Sequence, residues 1–398
     1  MKLAWYSNAP WGPTGYGVAT ADTVPRLHAA GHDVTIMANW GQQIGMGEWN
    51  GIPVYPQGNA QYSIDVIDEQ ARVIDPDWII TLYDVWVLTG HPIWKDRRVI
   101  SWTPIDHYPV PPKVLEWAKQ HRTIAMSRYG QDALKDAGVQ ADYIPHGIPS
   151  VFHPTPSDIR SRMRVPDDAF LVMINAANIG NVPPRKAWQE NIQAMSDLAR
   201  THKDVWLYIH TDLRRQGGVP VDGILTLFGF PMERLRVCDQ QAYRWGSIDQ
   251  DELARLYTTA DVLLAPSYGE GFGIPVAEAM RCGTPAIVNN FSAQPEIVGD
   301  TGYTTRYQLF YDQGQHSCFG QPLIVSIREK LEEAYEDWKS GRLTERGQAA
   351  IAHSAQYDSD RVFHEHWMPL LIEMQQDVGK RKVMPHPEGN RAERRKKR

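Results

Sequence analysis

The chain has 398 residues, 42% of them apolar and 22% charged, with 31 glycines and 28 prolines spread along its length. That length accommodates two or three folded domains, and the composition excludes a stapled miniprotein, a fibrous repeat and a wholly disordered chain. The formal net charge of −6 conceals a split, with +7 on Lys380 to Arg398 and −13 on everything before; the acidic body argues against a broad nucleic-acid-binding face.

Short apolar, β-branched runs alternate with amphipathic segments, which is the signature of βαβ units and parallel sheets. Strands are predicted near Leu3 to Tyr6, Asp33 to Ala38, Trp78 to Leu82, Val99 to Trp102, Thr123 to Met126 and Tyr143 to Ile144. Helices fall between them near Val18 to Ala30, Ile64 to Val73, Lys113 to Lys119 and Tyr129 to Ala137. Prolines 149, 154, 156 and 166 interrupt this series and mark an interdomain connection, since proline continues neither a helix nor a central strand. A second series follows, with strands near Phe170 to Ala176, Trp206 to His210, Arg236 to Cys238, Val262 to Ala265 and Ala286 to Asn289. Its helices are predicted near Ala187 to Arg200, Gln250 to Thr259, Ile274 to Arg281 and Ile327 to Ser340.

The fold class read from this pattern is α/β, with two Rossmann-like doubly wound domains facing across a cleft. The expected division is 1–153 for the first domain, 154–168 for the linker and 169–350 for the second. Residues 351–376 form a helical segment crossing back to the first domain, and 377–398 a basic, disordered tail. Val362, Phe363, Trp367, Leu370, Leu371 and Met374 recur at helical spacing and need a buried partner, and Pro369 should kink that helix.

No run approaches the roughly 18 apolar residues of a membrane span, and the N-terminus breaks at Asn8 and Pro10 instead of forming a signal-peptide core, so the expected location is cytoplasmic. Cys238, Cys282 and Cys318 are too far apart to read as a disulfide framework or a zinc site. His364 and His366, two apart, point to different faces of a helix and make no metal pair.

The stretch from Ala260 to Pro285 is the most informative. A buried strand ends at Pro266-Ser267, and a loop with Gly269, Gly271 and Gly273 then opens a helix carrying Glu278. Loop glycines let a ligand approach the backbone, and the free amides at a helix start suit a phosphate. Glu270 in the loop and Glu278 in the first helical turns present two carboxylates, each with two acceptor oxygens for neighbouring sugar hydroxyls. Arg185-Lys186 supplies the positive charge that a diphosphate leaving group requires.

Glu270 and Glu278, set in EGFGIPVAEAMRCGTP, resemble the signature of retaining, nucleotide-sugar-dependent glycosyltransferases of the GT-B fold. Gly246 to Tyr257 before the strand and Gln294 to Val298 after it are similar as well. The resemblance is strong from about Asn175 to Val298 and looser over the first 150 residues.

The resemblance implies that Glu278 holds the donor ribose, that Glu270 holds the sugar hydroxyls, and that the amides of Gly271, Phe272, Gly273 and Ile274 meet the sugar and diphosphate. Lys186 and Arg185 clamp the diphosphate; Asn178 stands near the place where many relatives carry the arginine. Gly15 and Gly17 resemble the N-terminal glycine loop, with Gly-Tyr-Gly where many relatives have Gly-Gly. His107 occupies the position of the sugar-contacting histidine, and Asp106 beside it either orients the ring or meets acceptor. Ser127-Arg128-Tyr129 resembles a turn facing the cleft, and His146 is mainly structural or near the donor phosphate.

The expected reaction is metal-independent and cofactor-free transfer of a sugar from a nucleoside diphosphate sugar to an acceptor hydroxyl with retention. The alternatives are a nucleotide-sugar epimerase on the same fold and a non-catalytic nucleotide-sugar-binding protein. A glycan, protein, lipid or modified DNA base all remain open as acceptor, with the basic tail as a polyanion contact.

Overall fold

A computed structural model describes residues 1–180 and 184–383 and contains two parallel sheets, one in each half of the chain. The first comprises β1 (Lys2–Asn8), β2 (Asp33–Trp40), β3 (Gly47–Trp49), β4 (Ile52–Tyr55), β5 (Trp78–Leu82), β6 (Val99–Thr103), β7 (Arg122–Ala125) and β8 (Asp142–Tyr143), ordered β3-β4-β2-β1-β5-β6-β7-β8. The second comprises β9 (Phe170–Asn175), β10 (Val205–His210), β11 (Leu235–Val237), β12 (Val262–Leu264), β13 (Ala286–Asn289) and β14 (Tyr303–Thr305), ordered β11-β10-β9-β12-β13-β14.

Both sheets are covered on both faces, so successive side chains enter different cores. Leu3 and Trp5 of β1 join one apolar cluster and Ala4 and Tyr6 another, which is why these strands read as continuous apolar runs.

Three elements depart from the sequence expectation. The β3–β4 hairpin extends the first sheet at its edge, turning at Asn50 (φ 51°) and Gly51 (φ 77°). This two-residue Asn-Gly turn is the chemistry that a right-twisted hairpin favours. A second antiparallel hairpin, β15 (Tyr307–Asp312) and β16 (Ser317–Pro322), follows β14. The linker is also more than a spacer: Ile159 and Val165 are buried, and just before it Phe152 packs on Tyr257 at 6.2 Å between ring centres.

The C-terminal segment crosses back to the first domain as expected. Ile148 N–H donates to Tyr357 O at 2.7 Å and Ser359 N–H to Ile148 O at 3.1 Å, so the two interdomain crossings run side by side. Trp367 then packs against Trp5 (6.0 Å) and Trp102 (5.3 Å), and Trp78 Nε1 donates to Met374 O at 3.3 Å. A π-helical turn spans Phe363–Trp367, just before Pro369, which has no N–H to give the carbonyl four residues earlier.

The final helix runs Met368–Val383, so the tail does not begin at 377; the helix continues through Gly379, and the next proline is Pro385. The rest of the expected basic tail lies outside the described residues. Among the described residues no helix is long and apolar enough to cross a membrane.

Candidate active site

In each sheet the strand order reverses beside the first strand, between β1 and β5 and between β9 and β12, and ligands of doubly wound sheets bind beyond the carboxyl ends at such points. The loop after β1 leads into the helix Gly15–Ala29, capped by Thr14, whose hydroxyl accepts from Gly17 N–H and from Asn8 Nδ2. A Cβ on Gly15 would meet only Ile274 Cδ1, at 3.8 Å, at the start of the helix Ile274–Arg281. Two helix N-termini, one per domain, therefore stand together across the cleft. Gly17 has a different reason to be glycine: a Cβ there would lie 2.2 Å from Gly12 O, so its small size serves the folding of its own loop.

The glycines after β12 need the same correction. A Cβ on Gly269 would lie 2.1 Å from Asp106 O, and one on Gly271 2.2 Å from Pro104 Cβ. Their lack of side chain lets the second-domain loop sit against the first-domain loop, where the sequence reading expects approach to a ligand. Gly273, at φ 115°, is the glycine whose backbone conformation excludes other residues. The Phe272 side chain turns into the interior against His146 and Tyr357, leaving only its amide for the cleft.

Arg185 and Lys186 meet Glu270 because two loops are knitted together. Asn191 Nδ2 donates to both Lys186 O (3.2 Å) and Pro266 O (3.0 Å), and Tyr268 N–H donates to Arg185 O (2.8 Å). Lys186 Nζ then donates to Glu270 Oε1, and Arg185 Nη1 to Glu270 Oε2 at 3.0 Å, with Asp106 3.9 Å from Arg185. Burial disfavours the Glu270 charge, but Lys186 and Arg185 outweigh it and hold the carboxyl down at about 2. Burial also pulls Lys186 below the usual lysine range, against the attraction of Glu270.

His107 follows β6 and both its ring nitrogens face carboxylates: Nδ1 lies 2.7 Å from Asp106 and Nε2 3.2 Å from Asp312. Burial opposes its protonation, yet the two aspartates raise its pKa above the ordinary histidine value, favouring the imidazolium. Asp312 comes from β15 of the second domain, which crosses the domain boundary. Tyr108 and Cys318 exchange backbone hydrogen bonds of 2.9 and 3.0 Å, and Phe319 lies over His107 with ring centres 3.7 Å apart. Asp312 and the hairpin carry no recognisable motif. Asp84, which accepts from Tyr16 Oη at 2.7 Å, was within reach of sequence reasoning because it stands just beyond the end of β5.

Glu278 is buried, with Oε2 accepting from Tyr257 Oη at 2.9 Å, and Asn175 Nδ2 donating to the same hydroxyl at 2.6 Å. Burial pushes the Glu278 carboxyl up to about 7, with Tyr257 opposing. A raised acid favours the fold most below its unfolded value near 4.5, and that contribution is lost as pH rises through about 7. Glu278→Gln, which cannot ionise, is therefore expected to match the parent near pH 5 and exceed its stability by roughly 3 kcal/mol near pH 9. Denaturant titrations at both pH values check this; a stability difference that does not change with pH would show that the carboxyl is not held in this way.

Three neighbours are structural. Asn178 donates from Nδ2 to Asp212 O and Val219 O and accepts from Val219 N–H, which anchors a loop. His146 is buried between Trp102 and Phe272, and burial lowers its pKa to about 3. Glu296 accepts from the N–H groups of Arg128 and Tyr129, both at 2.9 Å, so the Ser127-Arg128-Tyr129 turn is held by the second domain. Among the described residues no group of three His, Cys, Asp or Glu side chains stands close enough to hold a metal ion.

The family model for glycosyl transferases group 1 matches residues 239–314, which include the hairpin's first strand, the glycine loop, Glu270 and Glu278. Residues 239–314 are thus similar to glycosyl transferases group 1, and the fold of the chain is GT-B. A 57-residue stretch is 44% identical to the O-antigen chain mannosyltransferase B of Escherichia coli, covering 14% of this chain and 15% of that one. Over 207 residues the chain is 28% identical to the MMP alpha-(1->4)-mannosyltransferase of Mycolicibacterium hassiacum, covering 51% and 45%. The chain thus spans less than half the length of these curated relatives. The fold matches the sucrose-phosphate synthase of Thermosynechococcus elongatus with a TM-score of 0.73 at 17% identity, covering 95% of this chain and 100% of that one. It matches HepE of Anabaena, solved in complex with UDP-glucose, with a TM-score of 0.69 at 18% identity, covering 93% and 99%. Both GT-B domains are covered by these matches.

Proposed function

We propose that the chain transfers a sugar from a nucleoside diphosphate sugar to an acceptor hydroxyl, with retention of anomeric configuration and without a metal ion. The observation that carries this reading is the convergence of Arg185, Lys186 and Glu270 from the second domain with His107 from the first, joined through Asp106, which lies 2.7 Å from His107 and 3.9 Å from Arg185. The mannosyltransferase relatives and the UDP-glucose complex of a fold neighbour support it.

In this mechanism the diphosphate draws Lys186 and Arg185 from Glu270, which is then free to accept from sugar hydroxyls. The amides at the starts of the helices Gly15–Ala29 and Ile274–Arg281 add to the positive field. Glu278 takes the ribose. The bond between the anomeric carbon and the phosphate oxygen breaks with its electron pair going to the diphosphate, whose charge the two cations stabilise as it develops. The acceptor oxygen forms the new bond on the same face, and its proton passes to the departing phosphate oxygen. His107, held through Nδ1 by Asp106, donates from Nε2 to the sugar in place of Asp312.

A panel including UDP-glucose and GDP-mannose, tested for hydrolysis without acceptor, is the decisive experiment. At least one donor should be cleaved equally well in EDTA, with the α-anomer released first. Activity lost in EDTA and restored by manganese would overturn the metal-free step, and a β-anomer would overturn retention. Neither cleavage nor binding of any donor would overturn the whole reading.

A further inference from the structure

The β15–β16 hairpin leaves one strand edge open. β16 is its inner strand: Cys318 exchanges backbone hydrogen bonds with Tyr108, and Gly320 N–H donates to Tyr268 O at 2.9 Å. Cys318 and Gly320 thus turn their backbone groups away from β15, so their cross-strand partners, Tyr311 and Leu309, face them in non-hydrogen-bonded pairs. In an antiparallel ladder such residues direct their own N–H and C=O outward. Among the described residues no donor or acceptor meets the backbone groups of Leu309 or Tyr311.

The side chains on the open strand are apolar and exposed: Tyr307 to 39%, Leu309 to 58% and Tyr311 to 56%. Phe310 and Asp312 turn the other way, to Tyr268 and His107. Folded proteins ordinarily blunt an exposed edge with a lysine, a proline or a bulge that blocks pairing. Tyr307–Asp312 has no lysine and no proline, its register with β16 is unbroken, and its one charge is turned inward to His107. An edge of this kind is fitted to receive another extended strand.

The strand is complementary to itself. Laid antiparallel on a second β15 with Leu309 at the two-fold axis, Leu309 meets the partner's Leu309 and Tyr307 meets the partner's Tyr311. Arg306 then comes opposite the partner's Asp312, so no like charges are opposed, whereas an in-register parallel pair would set each beside its own copy. Aromatic pairs directly across a ladder add to its stability, and opposed like charges subtract from it. We propose that the chain forms a two-fold homodimer through β15, joining the two hairpins into one four-stranded antiparallel sheet. Each copy uses its only open edge of the hairpin in the contact, so the assembly closes at two.

Sedimentation velocity of the full chain from about 1 to 300 µM tests this. A contact of one strand and its exposed face lies at the small end of specific interfaces, so a dissociation constant on the order of 10–100 µM is expected. The mass should rise with concentration from 45.2 kDa toward twice that value. Leu309→Pro removes an outward N–H that β16 does not use, and Leu309→Lys opposes two like charges at the axis. Each should weaken the dimer at least about tenfold and leave the thermal melt of the monomer unchanged. In a Cys318→Ser background, with Cys238 and Cys282 buried, Leu309→Cys should give a disulfide-linked dimer on mild oxidation. Its two copies would stand about 5.5 Å apart between Cα atoms, within disulfide reach, whereas those of Tyr307→Cys would lie ~14 Å apart and should stay unlinked. A chain that is monomeric throughout, a dimer indifferent to both Leu309 substitutions, crosslinking of Tyr307→Cys in place of Leu309→Cys, or assembly that grows past two copies would each overturn the inference.

Discussion

Replacing Lys186 with alanine is expected to lower turnover by on the order of 10²- to 10³-fold, the range found when a fixed donor to a developing negative charge is removed. Lys186 is well suited to such an effect because it is mostly buried and its Nζ is held beside Glu270 within a loop pinned by Asn191. The charge it neutralises grows as the bond to the diphosphate breaks, so the loss belongs mainly in kcat. Glu270 remains paired with Arg185 in the variant, so folding should survive. Initial-rate kinetics on the donor that the wild type hydrolyses, paired with a thermal melt, make the measurement. A folded variant whose kcat stays within about fivefold of the parent would remove Lys186 from the mechanism.

The second large effect lies far from the chemistry. Trp367→Ala is expected to destabilise the protein by about 3–5 kcal/mol, the usual cost of emptying a buried aromatic site. Trp367 is 1% exposed and its ring packs on Trp5 and Trp102, which belong to the central strands β1 and β6 of the first domain. The damage should therefore fall on the first domain although the substitution lies over 200 residues downstream. Urea titration measures the total loss, and limited proteolysis locates it. A loss below about 1 kcal/mol would mean that the crossing segment merely rests on that core.

The sequence reading succeeded where local rules decide the structure. Trp78–Leu82, Gln250–Thr259 and Ile274–Arg281 have the expected boundaries, because each has a strong apolar run, a cap or a glycine at its edge. Asp249, for example, caps its helix by accepting from Glu252 N–H. The β3–β4 hairpin was legible from Asn50-Gly51 but has flanking strands too short to draw attention.

Other features have no local signal at all. The β15–β16 hairpin, YQLFYD and SCFGQP, has no regular apolar alternation in its first strand, and the backbone partner of its Cys318, Tyr108, is about 200 residues upstream. The site shows the same division. Glu270, Lys186, Arg185 and His107 do come together, as their setting implies. Gly269 and Gly271 read as positions of ligand approach, whereas the clash a Cβ would make with Asp106 O and Pro104 Cβ gives them a role in domain apposition. No spacing rule anticipates which loop of the other domain will be met.

The crossing segment also sets a timetable for biosynthesis. The first domain's strands are complete at Tyr143, yet the indole that fills the space between Trp5 and Trp102 arrives only with Trp367. At ~5–20 residues per second, on the order of 10–40 s of synthesis separates the two. Throughout that interval the nascent first domain exposes an apolar seam that only the far end of the same polypeptide can close, and this is the period in which chaperones have most to protect.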